Sequence, residues 1–466
     1  MLFPTAVFAL FFGVVFVIHW TLVRLVPRLV PAFLLAASLV FYGFCSWTFC
    51  IALVFVGLCA WAIGLKVKGG NNRAWLWGGI AGALLWIFWF KYTNFMLREV
   101  SGTLEWLGLG TPPALEIILP VGVSFYAFQT ISYLLDVHRG DARASHAPVD
   151  VLFYLTFFPH IAAGPIVRAA HFLPQVATVP DAARIPVVMA SILILGGLFK
   201  KIVIATELAT GLVDPVFRDP TAYGVTDILI AAYGYTVQIW CDFSAYSDIA
   251  IGVAALLGYH FPKNFDQPFR STSLSEFWRR WHISLSTWLR DYLYKPLGGS
   301  RHGESRTARN LFLTMLLGGI WHGANWTFVL WGAIHGAALV LERYLLGWRE
   351  RPHSIGARML RWLVTFHVVV IAFVLFRAPD MATVMAMVEA LAADTLQTEE
   401  VITARLLGLL VLGLGLHFLP GDLRERIERR IAGLHPLALG MLGGVALLAI
   451  MLAGPKGVAP FIYFQF

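Results

Sequence analysis

The sequence predicts an all-α membrane protein that crosses the bilayer many times. Of its 466 residues, 58% are hydrophobic and only 13% are charged, whereas a soluble domain averages about 25% charged residues. Apolar segments also run from residue 2 to the C-terminus without a long polar interval. These observations argue against ordinary soluble enzymes and nucleic-acid-binding proteins, and they favour one integral-membrane domain that covers residues 1–466.

Eight segments approach the roughly 20 apolar residues that a single spanning helix needs. They are Leu2–Trp20, Leu29–Trp47, Phe49–Leu65, Trp75–Phe95, Ile117–Leu135, Arg361–Arg377, Val401–Leu419 and Pro436–Ala453. The first lacks a basic leader and a cleavage site, so we expect a retained helix.

Two further segments are predicted to be broken helices. Val151–Ala170 contains Pro159, which interrupts a helix, and Tyr223–Leu257 is long and carries the polar Asp242 midway. Irregular backbone at membrane depth persists only where protein or a water-filled cavity shields it. We therefore expect an internal cavity and about 10–12 transmembrane helices, given the ~30 Å thickness of the bilayer core.

The basic loops predict the orientation, because short loops rich in Lys and Arg stay in the cytoplasm. Five such groups occur: Arg24/Arg28, Lys66/Lys68/Arg73, Arg139/Arg143, Arg349/Arg351/Arg358 and Arg424/Arg426/Arg429/Arg430. The loop Pro379–Glu400 contains five acidic residues and no basic one. This pattern places the N-terminus and the C-terminal tail outside the cytoplasm.

The segment Lys263–Arg309 concentrates the positive charge. It holds nine basic and four acidic residues, a surplus of five in a chain whose net charge is +8. Apolar side chains recur every four residues from Phe277 to Leu289. Ser275–Leu293 is therefore predicted to form an amphipathic helix in the cytoplasmic interface, with Ser275 as its N-cap.

The segment Leu311–Leu341 is predicted to be a re-entrant hairpin. Its first arm, Leu311–Trp321, rises only ~16 Å at 1.5 Å per residue, which is short of the ~30 Å bilayer core. A turn at Gly318–Gly323 would carry His322 to about mid-membrane. An ionisable residue there indicates function by default, and imidazole suits a general base that activates a hydroxyl acceptor. The alternative is a neutral histidine that bonds a helix-end carbonyl.

Other candidates lie in the basic segment. His282 is either a second polar group near the cavity entrance or a polar tip at the lipid surface. Arg279, Arg280 and Arg290 would attract a phosphate-bearing donor, although retention of a positive loop and binding of anionic membrane lipid explain them equally well.

Three residues are candidates to line the cavity: Asp242, Asp248 and Trp321. The two aspartates either line it or pair with a buried arginine. No GxSxG, Walker, HExxH or dinucleotide-binding pattern occurs, and the four cysteines show no CxxC spacing. We therefore expect no metal site.

The C-terminal tail, residues 454–466, is too short to span the bilayer and is rich in aromatic residues. One interpretation is an interfacial aromatic anchor. The other is that Tyr463, which carries the tail's one hydroxyl group, enters the cavity from outside and accepts an acyl group.

Several stretches together resemble the membrane-bound O-acyltransferase family, and its bacterial alginate O-acetyltransferase-like branch most closely. They are Pro120–Gln129, Phe157–Arg168, Asp242–Gly252, Asn264–Arg270, Ser275–Asp291 and Gly319–Ala324. The likeness covers most of the chain.

The resemblance implies a ring of helices around a central funnel, with His322 matching the family's invariant histidine and His282 its second characteristic histidine. It also implies an acyl donor that is a cytoplasmic thioester, either acetyl-CoA or a carrier-protein thioester, and no bound cofactor. The group would cross the bacterial inner membrane to a separate SGNH-type acetyltransferase outside, which completes O-acetylation of a polysaccharide. The terminal residues around Tyr463 resemble a tail motif proposed as an acyl carrier.

Two alternatives remain at this point. A transporter or flippase could move an acyl group or a lipid-linked sugar without bond chemistry, because broken helices and intramembrane charges also suit transporters. A scaffold could only recruit the external acyltransferase. The sequence does not name the polymer.

Overall fold

The computed structural model describes residues 1, 3–111, 113–348, 354–392, 401–455, 457 and 459–462. These ranges form helices and connecting turns without a β-strand, so the all-α fold class is confirmed. The chain divides into two compact units, Met1–Ala190 with Ile249–Pro262, and Ser191–Asp248 with Lys263–Phe466. The single-domain assignment of residues 1–466, with its segments 263–309, 311–341 and 454–466, and the central funnel stay predictions.

The α-helices are numbered in chain order. The first eight are α1 Ala6–Leu25, α2 Val30–Gly43, α3 Trp47–Val67, α4 Arg73–Ile87, α5 Thr93–Trp106, α6 Val123–Arg139, α7 Pro148–Thr156 and α8 Ala169–Val176. Then follow α9 Val187–Phe199, α10 Thr206–Leu208, α11 Asp214–Arg218, α12 Val225–Leu256, α13 Leu274–Arg280, α14 Ile283–Leu289, α15 Glu304–His322, α16 Trp326–Tyr344, α17 Ile355–Arg377, α18 Met381–Ala392, α19 Ala404–Gly415, α20 Leu423–Ile431 and α21 Pro436–Ala453.

Shorter helical turns join or interrupt these helices. The π-helical turns are Phe88–Tyr92, Lys200–Ala205, Ala209–Val213 and Arg290–Tyr294. The 3₁₀ turns are Pro27–Leu29, Lys68–Gly70, Ala182–Arg184, Pro220–Ala222, Pro268–Arg270 and Leu416–Phe418.

Seven helices in the described ranges are long and apolar enough to cross a membrane. They are Ala6–Leu25, Trp47–Gly70, Arg73–Trp106, Val187–Arg218, Val225–Leu256, Ile355–Arg377 and Pro436–Ala453. The number rises to eight if the pair Ala404–Phe418 and Leu423–Ile431, bent by 89°, forms one span. The polytopic class is therefore confirmed with fewer clear spans than the sequence suggested, because α2 has only 14 residues and α6 only 17.

The first predicted break is confirmed and the second is wrong. Within Val151–Ala170, α7 ends at Thr156 and α8 begins only at Ala169. In contrast, α12 runs unbroken for 32 residues. Its polar side chains bond to neighbouring segments, so the helix needs no irregular backbone to satisfy them.

The structure also adds a span that the sequence prediction omitted, Val187–Arg218. Two adjacent lysines, Lys200 and Lys201, interrupt its apolar pattern. They lie in the π-helical turn Lys200–Ala205 and pair with carboxylates of α12. The apolar runs on both sides of the lysine pair were the signal that would have found this helix.

The helices α15 and α16 form a hairpin, but its predicted turn position is wrong. Helix α15 continues through both glycines to His322, and the turn comprises residues 323–325. Its first six residues include Glu304, Arg306 and Arg309, so the apolar part of α15 still begins near Leu311. His322 is the last residue of α15, and its depth near mid-membrane stays a prediction.

The glycines of this hairpin allow the two helices to pack backbone against backbone. A Cβ at Gly332 would lie 2.6 Å from the carbonyl oxygen of Met315 and 3.0 Å from Leu316 Cα. A Cβ at Gly319 would contact the backbone of Phe328 and Gly332. Small residues at membrane helix contacts permit such close approach, so these glycines position α15 and do not break it.

We predict that Gly332→Val destabilises the hairpin, because the added side chain must displace backbone atoms of α15. Overpacking of this kind costs about 1–3 kcal/mol, and thermal unfolding of the detergent-solubilised protein would measure it. Gly408→Ala is the matched control, since no atom lies within 4 Å of a Cβ at Gly408. An equal loss in both variants would contradict the close-packing account.

Candidate active site

His282 lies at a sharp break between two short helices. Helix α13 ends at Arg280, α14 begins at Ile283, and His282 has φ 42° and ψ 56°. A left-handed backbone is uncommon for a residue other than glycine. The predicted continuous helix Ser275–Leu293 is therefore wrong, and the N-cap is Ser273, whose hydroxyl accepts the Glu276 N–H at 3.0 Å.

Asn264 holds this break in place. Its side-chain oxygen accepts the N–H and the hydroxyl of Ser284 at 3.1 and 2.9 Å, and it lies 3.3 Å from His282 Nδ1. Its backbone carbonyl accepts the Ile283 N–H at 2.9 Å, and its amide donates to Ser247 Oγ on α12 at 3.0 Å. Asn264 opens the stretch Asn264–Arg270 that carries the family resemblance, and its own role emerges only from these tertiary contacts.

The contact with Asn264 also selects a tautomer of His282. An amide oxygen only accepts hydrogen bonds, so the facing Nδ1 carries the proton and Nε2 is the basic nitrogen. His282 is 1% exposed, and burial lowers its pKa to about 3. The imidazole is therefore neutral at pH 7 and its Nε2 is able to accept a hydrogen bond, with the Phe243 ring edge-on at 4.6 Å.

His322 ends α15 inside an aromatic box and is 5% exposed. Its ring centroid lies 4.9 Å from Trp321, 5.0 Å from Trp331 and 5.1 Å from Phe376. Trp321, a predicted cavity-lining residue, is itself buried and packs directly beside the histidine. Such apolar walls exclude water and strengthen electrostatic interactions within them.

The two histidines belong to one aromatic cluster. Trp331 of α16 contacts both His322 and Trp278 of α13, the latter at 5.7 Å. His282 follows the C-terminal end of α13. Tertiary packing thus links His322 to the helix that directly precedes His282, although 39 intervening positions separate the two histidines in the sequence.

A cavity of about 670 Å³ lies along α13. Six arginines and three carboxylates are among its lining residues: Arg270, Arg279, Arg280, Arg343, Arg358, Arg361, Asp266, Glu276 and Glu342. Two of the three predicted donor-binding residues, Arg279 and Arg280, therefore line one positively charged cavity. Arg290 is outside this lining set and binds its neighbour Asp291 at 2.9 and 3.0 Å.

The two cavity arginines of α13 have different partners. Arg280 pairs with Glu276 at 3.0 Å and with Asp266 at 3.1 Å. Arg279 donates to the neutral Ser275 hydroxyl at 3.0 Å. Since Arg280 is already paired with two carboxylates, Arg279 is the better suited of the two to bind a further anion.

The predicted acidic pair of α12 bonds with lysines, and the suggested arginine partner is wrong. Asp242 lies 2.8 Å from Lys201 Nζ, and Asp248 lies 2.6 Å from Lys200 Nζ. Asp242 also accepts the Ile462 N–H at 3.0 Å. The acyl-acceptor candidate Tyr463 lies outside the described residues.

Known proteins are similar to this chain along most of its length. Residues 142–387, just over half of the chain, match the membrane-bound O-acyltransferase family. The chain is 42% identical over 390 residues to the probable alginate O-acetylase AlgI of Pseudomonas aeruginosa, covering 81% of this chain and 73% of that protein. It is 36% identical over 466 residues to the probable AlgI of Pseudomonas putida, covering 93% and 94% of the two chains.

A relative with another named activity is the peptidoglycan O-acetyltransferase of Helicobacter pylori, 32% identical over 389 residues that cover 77% of this chain and 73% of that protein. The protein is thus a multi-pass membrane O-acyltransferase. The chain belongs to the membrane-bound O-acyltransferase family, as its motifs indicated. These relationships favour acyl transfer over the transporter and scaffold alternatives.

We predict that Asn264→Ala reduces acyl transfer about 10–100-fold, because losing a buried hydrogen-bond partner costs ~1–3 kcal/mol and releases the backbone of His282. Ser247→Ala, which removes only the outer bond, should reduce transfer much less. Initial rates of acyl transfer, measured with matched amounts of folded protein, test both variants. Equal rates for Asn264→Ala and the unaltered chain would show that this contact does not position His282.

Proposed function

We propose that the protein transfers an acetyl group from a cytoplasmic thioester across the bacterial inner membrane, for O-acetylation of an extracytoplasmic polysaccharide of the alginate type. The observation that carries this proposal is the aromatic packing that links His322 to α13 through Trp331. Helix α13 lies along the arginine cavity, and His282 follows soon after its C-terminal end. The names of its relatives support the polymer class, since they include probable alginate O-acetylases and a peptidoglycan O-acetyltransferase.

His322 is the proposed general base. Its imidazole removes the proton of the acceptor hydroxyl as the hydroxyl oxygen attacks the thioester carbonyl carbon. A C–O bond forms, the C–S bond breaks with its electron pair on sulfur, and the proton passes to the departing thiolate. His282, held by Asn264, positions the donor or the acceptor through Nε2.

The arginine cavity supports a phosphate-bearing donor. Guanidinium groups bind phosphate through paired, charge-assisted hydrogen bonds, and Arg279 and Arg280 face this cavity together with four further arginines. The positive-inside pattern favours the cytoplasm for this side of the chain. Acetyl-CoA and a carrier-protein thioester both carry the required phosphate.

The acceptor side involves the tail and a partner protein. In this proposal Tyr463 takes the acetyl group on its phenolic oxygen. An external SGNH-type acetyltransferase then moves it to the polysaccharide. The chemistry itself carries the acetyl group across the membrane, because donor and acceptor reach the same histidine from opposite sides.

We predict that His322→Ala lowers acetyl transfer from labelled acetyl-CoA by at least about 100-fold, the usual contribution of a general base being 10²–10⁴. The assay follows thioester consumption and label on the protein or polymer, with thermal unfolding as the check on folding. His146→Ala is the matched control, since His146 is an exposed histidine outside this site.

Retained transfer in His322→Ala would show that His322 is not the general base.

The same assay tests the role of the tail independently of His322. Unchanged transfer in Tyr463→Phe would exclude a covalent tyrosyl intermediate and leave the base intact. Transport without thioester cleavage would favour the transporter alternative.

We also predict that Arg279→Ala raises the KM for acetyl-CoA about tenfold or more with little change in kcat, because a hydrogen bond to a charged group contributes about 1.5–3 kcal/mol. Acetyl-pantetheine, which lacks phosphate, should respond to neither this change nor the surface control Arg184→Ala. A larger effect from Arg290→Ala than from Arg279→Ala would place the donor outside the cavity.

A further inference from the structure

The described end of the chain enters the interior of the second unit. Phe461 is 3% exposed and Ile462 is 1% exposed. The Phe461 ring lies 4.9 Å from Tyr246 and 6.1 Å from Phe243. Both side chains are therefore packed inside the protein.

A buried ion pair holds this segment by its backbone. Lys201 and Asp242 lie 2.8 Å apart, with side chains only 8% and 3% exposed. The Asp242 carboxylate accepts the Ile462 N–H at 3.0 Å, and the Lys201 ammonium donates to the Pro460 carbonyl at 3.3 Å. The pair therefore binds main-chain groups on both sides of Phe461.

The backbone of the Lys200–Ala205 turn and the backbone around Gly454 both help to bring the tail to the ion pair. Lys201 lies in a π-helical turn, a feature that is frequent at functional sites. Gly454, just after α21, crosses that turn so closely that a Cβ would meet the Ile202 side chain. The chain is thus led over the turn before it reaches the ion pair.

A neighbouring ion pair provides an internal comparison. Lys200 and Asp248 lie 2.6 Å apart on the same two segments, with the Asp248 side chain 31% exposed. Lys200 also donates to Ser244 Oγ at 2.7 Å and lies 5.3 Å from the Trp240 ring. These contacts are all with α12, whereas the Lys201–Asp242 pair also binds the tail.

Electrostatics explain why the tail is the natural occupant. Removing an ammonium and a carboxylate from water costs free energy that their mutual attraction offsets only when further hydrogen bonds satisfy both groups. The Pro460 carbonyl and the Ile462 N–H supply those bonds with the correct polarity. If the tail were displaced, the buried Lys201 and Asp242 side chains would lose these two hydrogen bonds. Docking of the tail is therefore favoured.

We propose that the Lys201–Asp242 pair is a seat that positions the carboxyl-terminal segment for acyl transfer. The seated Phe461 contacts Phe243, and Phe243 lies 4.6 Å from the ring of His282. When the tail is bound to the ion pair, Phe461 is therefore held against Phe243, which in turn contacts His282. The consequence for transfer rests on the proposed function, whereas the seat itself does not.

The experiment measures tail release directly, with Ile462→Cys as a reporter in a full-length Cys45→Ser background. Cys45 is the exposed native cysteine among the four. The rate of maleimide labelling at position 462 should be low in this background. It should rise at least tenfold when Lys201→Met and Asp242→Asn are combined, and acetyl transfer by the same double variant with Ile462 retained should fall at least tenfold. Lys200→Met with Asp248→Asn is the matched control, which should change labelling less than twofold.

Gly454→Val is a second way to release the tail in case the double variant misfolds. Its added side chain would meet Ile202 and displace the tail, while Lys201 and Asp242 still pair with each other. Gly443→Val is its control, since a Cβ at Gly443 meets no atom within 4 Å. Faster labelling with reduced transfer in Gly454→Val supports the seat. Labelling at position 462 that is as fast with the ion pair intact as in unfolded protein would overturn it, and so would released tails with undiminished transfer.

The two proposals fail in different ways. His322→Ala should leave labelling at position 462 slow, because it does not touch the seat. Retained transfer in His322→Ala would overturn the proposed function while the labelling result stands. Fast labelling in an active chain with the ion pair intact would overturn the seat alone.

Discussion

Inside this protein a buried charged or polar side chain must find its partner within the protein, because a bilayer core offers no water to satisfy it. Only 13% of the residues are charged, so each buried charge has few possible partners. The consequences are visible along α12. Asp242 and Asp248 form ion pairs with two adjacent lysines. The Ser247 hydroxyl oxygen accepts a hydrogen bond from the side-chain amide of Asn264. These contacts tie the lysine-bearing turn, the Asn264 segment and the chain end to one helix.

The same constraint shapes the site. A left-handed residue between two helices leaves backbone groups that the helices cannot satisfy, and Asn264 accepts three of the donors around His282 with one side-chain oxygen. The strained backbone persists because these bonds over-determine it. The histidine is thereby held neutral, in one tautomer and among aromatic rings. Rigidity of this kind is what a residue needs in order to hold a reactant in one orientation.

Close packing of two helices positions the second histidine, His322. Helix α15 meets α16 backbone to backbone at Gly319 and Gly332, which leaves Trp331 to fill the space between His322 and α13. A larger residue at either glycine would separate the helices and displace the aromatic box. The glycines therefore set the distance between the two helices that surround His322.

The sequence by itself determined the class and the charged interval Lys263–Arg309, and it singled out the two histidines as candidates, because low charge, apolar run length and local motifs are one-dimensional properties. Tertiary structure decided what those residues do together. A glycine pair predicts a turn or a helix contact equally well, and here the facing helix selected the contact. Likewise Asp242 predicted a broken helix or an ion pair, and Lys201, 41 positions earlier in the chain, satisfied it without a break. The physical reason is common to both cases: the free energy of a buried polar or glycine residue depends on the atoms that face it, and those atoms come from distant parts of the sequence.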